Sequence, residues 1–171
     1  MSSKTGPGTW MVLLLSLVQV QSLGAQDIAH LQSGVVKIKA KPTEGGARVG
    51  TGFIVRLEKD VAYIVTSTHV VAGDSDPKVE FFTKKNLSVP AEVLGLEGGD
   101  DIRGLALLVM RGQENVPNGL TALPLASAIP SAEGMDIMVI GYPTEPGPLG
   151  RDEGEYLVTT RKRAGVGGGL V

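Results

Sequence analysis

The reactive side chains of this sequence are few: two histidines, His30 and His69, and no cysteine. Without a thiol there is no thiolate nucleophile, no disulfide framework and no Cys-ligated zinc or iron–sulfur site, so any chemistry must run on oxygen and nitrogen groups. His69 ends the run Ala62-Tyr63-Ile64-Val65-Thr66-Ser67-Thr68-His69-Val70-Val71, whose β-branched and aromatic residues read as a strand. An imidazole titrates near neutral pH. Placed where the chain leaves a rigid strand, it can take a proton from a hydroxyl and return it to a leaving group. Residue type alone leaves two readings of His69, a capped or solvated histidine and a proton-transfer group. His30 lies in Asp27–Ser33, where Ile28 and Leu31 are three apart and Asp27 stands as a cap, so it is read as a surface or packing residue of a short helix. Two histidines without clustered carboxylates predict no metal site, and no cofactor is expected.

The elements that must position His69 are brief strands. Val35–Ala40 and Arg48–Val55 are separated by a Pro-Thr-Glu-Gly-Gly turn, and further strands are predicted at Val61–Val65, Val79–Thr83, Val89–Leu96, Leu105–Met110 and Met135–Ile140. Turns are expected at Glu58-Lys59-Asp60, Gly73–Pro77, Lys84-Lys85-Asn86 and Gly98–Asp101. With 24 glycines, 4% aromatic residues and recurrent Val, Leu and Ile, the chain is expected to be all-β, a small antiparallel barrel or sandwich. The final residues change character. Pro143, Pro146 and Pro148 lead to one strand, Tyr156–Thr160, for which no following partner is predicted, and then to Arg161-Lys162-Arg163 and a glycine run.

Composition narrows the partners. A net charge of −2, with acids and bases interspersed, offers no basic stripe for a phosphate backbone, so nucleic acid is not an expected partner. The first 25 residues combine Lys4, an apolar run from Trp10 to Val20, and small residues Ser22, Gly24 and Ala25, the pattern of a secretory signal peptide. Gln19 and Gln21 interrupt that run before it reaches the roughly 20 apolar residues of a membrane span, so no stable span is expected and the product is predicted to be secreted or periplasmic.

The segments Gly50-Thr51-Gly52-Phe53-Ile54-Val55 and Ile64-Val65-Thr66-Ser67-Thr68-His69-Val70-Val71 resemble the signatures of the HtrA/Deg-like branch of trypsin-fold serine proteases. The resemblance continues, in order, through Val89-Pro90-Ala91-Glu92-Val93-Leu94-Gly95, Leu105-Ala106-Leu107-Leu108 and Val139-Ile140-Gly141-Tyr142-Pro143. It spans residues 33 to 143 and implies the first antiparallel β-barrel of the two-barrel fold, with the second barrel largely missing. The expected organisation is a signal peptide over 1–25, the first barrel of a trypsin-like peptidase domain over 26–143, and the start of the second barrel or a disordered tail over 144–171.

The resemblance makes His69 the general base of a Ser-His-Asp triad and implies serine endopeptidase activity on peptide or unfolded protein substrates. Two positions depart from the pattern. Gly104 occupies the place of the orienting aspartate, leaving Asp101, three residues upstream, as either a solvated turn residue or a shifted third member of the triad. No serine stands in a G-x-S-G-G setting. The expectation is therefore an incomplete, inactive protease chain. The alternative is an exported pseudoprotease serving as a peptide- or protein-binding module, and self-association through an uncovered barrel face is expected in either case.

Overall fold

The computed structural model describes residues 25–98, 104–127, 136–142 and 157–162. After a short helix α1 (Ala25–Gln32) come seven strands of one antiparallel sheet: β1 (Val35–Ala40), β2 (Arg48–Glu58), β3 (Val61–Ser67), β4 (Lys78–Phe81), β5 (Lys84–Pro90), β6 (Glu92–Leu96) and β7 (Leu105–Arg111). A one-turn helix α2 (Thr68–Val71) follows β3, and β8 (Asp136–Gly141) pairs with β9 (Leu157–Lys162) in a second, two-stranded sheet.

Sheet order explains the curvature. The strands lie β5-β4-β1-β2-β3-β7-β6, so the two edge strands, β5 and β6, are consecutive in sequence and joined only by Ala91. One residue spans at most about 3.6 Å, so the edges must be brought together and the sheet curls into a barrel. The Ala91 amide donates to the Pro77 carbonyl at 2.9 Å, fastening this corner. Register breaks between Ile54 and Arg56, Glu80 and Phe81, and Val93 and Gly95 add the local bending that closure needs. Alternate residues of each strand fill the interior, where Val36, Ile38, Ile54, Ile64, Val79, Phe81, Leu108 and Met110 form one core.

The expected strand set and the all-β barrel are present, with three differences. The predicted strand Val89–Leu96 is two strands that turn at Ala91 from one edge of the barrel to the other. Lys84-Lys85-Asn86, expected as a turn, opens β5 instead, with Lys84 paired to Phe81, and the turn falls on Phe82-Thr83, expected as the end of strand Val79–Thr83. The strand near Tyr156–Thr160 does have a partner, but an earlier one: Leu157 to Lys162 run antiparallel to Gly141 to Asp136. An antiparallel partner can precede a strand as readily as follow it.

Candidate active site

Three threonines and two glycines build the place where His69 sits. Thr66 stands near the end of β3 and Thr68 opens α2, and both are buried. The Thr66 hydroxyl donates to the Thr51 carbonyl at 2.8 Å, joining β3 to the glycine-flanked stretch of β2. The Thr51 hydroxyl in turn accepts from the Tyr142 amide at 2.7 Å, which ties the end of β8 to the barrel. Thr68 is fully buried; its amide donates to the Gly104 carbonyl at 2.8 Å, and its hydroxyl lies 2.8 Å from the Glu97 carbonyl and 3.0 Å from that of Leu105.

These bonds turn the chain into α2, a helix too short to be stable on its own. The bond that closes it runs from the Ala72 amide to the Thr68 carbonyl. Tertiary packing must hold it, and Val70 and Val71 are buried in the core beneath. Gly50 makes that seat possible, because a Cβ at this position would lie 2.5 Å from Val70 Cγ2. Of the four helical residues only His69 is exposed. Its neighbours Thr68, Val70 and Val71 are buried while His69 itself is exposed.

The imidazole borders a cleft of about 690 Å³ lined by Pro42, Thr43, Glu44, Arg48, His69, Ala72 and Gly73. The cleft wall is stitched by the Thr43 amide on the Gly73 carbonyl at 3.2 Å and by the Lys41 amide on Asp74 Oδ2 at 2.5 Å. Among the described residues no hydroxyl or carboxylate is hydrogen-bonded to the His69 ring, and no cluster of three metal-ligating side chains occurs. Asp101, the second candidate site residue, lies outside the described residues. Gly104 is described and buried, and its carbonyl bond to Thr68 places it against the residue that precedes His69. His30 is elsewhere, on α1, with Nδ1 3.4 Å from the Thr121 hydroxyl.

Sequence reading did not single out Arg48 or the inward pair Thr66 and Thr68. The threonines carried a readable signal, since polar residues at i and i+2 at the end of an apolar strand point to one face and must find partners if buried. Arg48 carried none, because its partners are 21 and 24 residues away.

Comparison with known proteins places this geometry. The sequence profile of a family described as trypsin-like peptidase domain matches residues 50–168. The chain is 31% identical over 93 residues to the serine protease Do-like HtrA of Bacillus subtilis (strain 168), an alignment covering 54% of this chain and 19% of that protein. Among solved structures it is similar to the HtrA-type protease AlgW with tripeptide, with a TM-score of 0.60 and 20% identity over 83% of this chain and 40% of that one. It also resembles a serine endoprotease from Yersinia pestis, with a TM-score of 0.54 and 22% identity over 82% of this chain and 43% of that one. The chain thus spans about a fifth of the curated relative and about two fifths of the structural neighbours.

Proposed function

The chain belongs to the family of trypsin-like peptidase domains, and on that footing we propose that it is the histidine-bearing barrel of an exported serine endopeptidase, with His69 as general base. The observation that carries the reading is the presentation of His69. It is the one exposed residue of a helical turn whose other three residues are buried, at the end of a barrel strand and on the rim of a cleft. In serine-type hydrolysis such an imidazole takes the proton of the attacking hydroxyl and delivers it to the leaving amine, and an oriented carboxylate holds its tautomer. Peptides or unfolded proteins are the proposed substrates, and the Trp10–Val20 run is the proposed export signal. Domain limits of 26–143 for the first barrel, with 144–171 as the start of the second, belong to the same reading.

The 171-residue chain by itself is proposed to be inactive, because none of its serines stands in G-x-S-G-G. Incubated with a serine-directed fluorophosphonate it is expected to take no label, and with unfolded casein to release no fragments. Labelling of any serine, abolished by His69→Ala, would show a nucleophile in a different setting and overturn the inactive reading. Gly104 supports a second reading, a binding module freed from catalysis. Saturable binding of an unfolded peptide by the unlabelled chain, lost on crowding the cleft with Thr43→Trp, would favour it.

Self-association is the remaining part of the proposal. On the edge strand β6 and its neighbour β7, the side chains of Leu94, Leu96, Leu105 and Leu107 are exposed, and the last three border a hollow of about 300 Å³ with Val65. An apolar face beside a sheet edge favours a second copy of the chain, through both leucine burial and strand pairing. Sedimentation velocity is expected to show concentration-dependent dimers that Leu105→Glu with Leu107→Glu disperses. A monomer at every concentration would reject this face as a contact surface.

A further inference from the structure

We propose that Arg48 is the positioning residue of His69, clamping from β2 the free end of the one-turn helix that carries the imidazole. The inference rests on the reading of His69 as a general base, but its geometry stands independently. Arg48 opens β2, paired with Ala40 of β1, two residues before the glycine on which Val70 sits. Its Nη1 donates to the His69 carbonyl at 2.8 Å and to the Ala72 carbonyl at 3.2 Å.

A helix of four residues has almost no internal hydrogen bonding, so its terminal carbonyls need outside donors. In α2 the Thr68 carbonyl is met by the Ala72 amide and the Val71 carbonyl by the Asp74 amide at 3.0 Å. Arg48 meets those of His69 and Ala72. The helix is thereby held at its start through Thr68 from β7 and the Glu97 carbonyl, and at its end through Arg48 from β2. Acting at the two ends of the turn, these anchors limit its rotation about its own axis, and that rotation aims the His69 Cα–Cβ bond. Burial of Val70 and Val71 sets how deep the turn sits. A planar guanidinium suits the task because the two N–H groups of Nη1 lie in one rigid plane and can meet two carbonyls at once.

A charged donor also makes stronger bonds to carbonyls than a neutral one, by about a factor of two. Both bonds leave the one nitrogen Nη1, and a lysine ammonium could also donate to these carbonyls but without the rigid plane that fixes the direction of its N–H groups, so a partial rescue is the signature of positioning rather than of bulk.

The test uses the whole chain and nuclear magnetic resonance, with His69 and His30 distinguished by a His69→Gln control. In Arg48→Met, which keeps the apolar stem and removes the donors, the Ala72 amide is expected to exchange with solvent about tenfold faster or more, the scale of one charge-assisted hydrogen bond. The His69 side-chain couplings should collapse toward rotamer-averaged values, while amides of Ile64 and Leu108 in the barrel keep their protection. Arg48→Lys should recover part of both signals, and guanidinium-bearing small molecules such as methylguanidine should recover part of them in Arg48→Ala. If Arg48→Met leaves Ala72 exchange and the His69 couplings unchanged, the clamp is refuted. It is equally refuted if Ile64 and Leu108 lose protection in the same proportion, because Arg48 would then support the barrel at large. Should Arg48→Met not fold, the same two signals in Arg48→Lys decide: unchanged His69 couplings together with unchanged Ala72 exchange refute the clamp, and partial loss of both supports it. None of these readouts requires turnover, so the catalytic reading of His69 can fail in the labelling experiment while the clamp is upheld here, or the reverse.

Discussion

Gly104→Asp, introduced into a form of this chain completed by a second barrel that carries the nucleophilic serine, is expected to raise turnover by roughly two to four orders of magnitude. Removing the orienting carboxylate from a Ser-His-Asp triad leaves the imidazole in the wrong tautomer and costs on the order of 10⁴ in turnover. The completed chain with Gly104 should therefore begin weakly active. The proposed register puts the carboxylate at position 104, whose carbonyl accepts the Thr68 amide at 2.8 Å, so a side chain there would start beside the residue that precedes His69. The gain should appear in kcat with little change in KM, because the carboxylate stabilises the imidazolium that forms only as the proton moves. Full activity with Gly104 in place, abolished by Asp101→Ala, would instead make the loop aspartate the third member and shift the proposed register by three residues.

Gly50→Ala is expected to destabilise the barrel by roughly 1–3 kcal/mol, the usual cost of forcing a methyl group into a filled site. A glycine-to-alanine change inside a strand would otherwise be mildly favourable, since it removes freedom only from the unfolded chain. Here the new Cβ would stand 2.5 and 2.7 Å from the two Cγ atoms of Val70, distances that side chains do not tolerate, so α2 must rise from the strand. Thermal unfolding should shift down by about 5–10 °C on that scale. Val70→Ala removes both offending methyl groups. The double variant should therefore be less destabilised than the sum of the single ones, a coupling that a double-mutant cycle reads directly. Additive losses would mean that Gly50 serves some purpose other than seating the turn that carries His69.

The local pattern of the chain is enough to identify most strands of the barrel and the delivery of His69 at the end of β3. Val35–Ala40 was legible to the residue, and Leu105–Met110 within one, because alternation between a filled interior and a wet exterior is written in neighbouring side chains. The Gly50–Val55 and Ile64–Val71 segments also disclosed the family, since both the glycines and the threonines answer needs fixed by the fold. Three-dimensional contacts decided the rest. That Val89–Leu96 is two strands results from barrel closure, which turns the chain at Ala91 and has no local signature strong enough to break an apolar run. Lys84–Asn86 looks like a turn by composition, yet the pairing of β5 with β4 extends to Lys84 and overrides that preference. β9 found its partner in β8, earlier in the chain and across residues that no pairing rule spans. The hold on His69 is the clearest case. Arg48 reaches its carbonyl across 21 positions and Thr68 reaches Glu97 across 29, separations at which sequence proximity says nothing about distance in space. Which residue bears the imidazole is therefore a property of the strand that ends there, while the direction in which it points is set by β2, β7 and the Glu97 carbonyl meeting around a single helical turn.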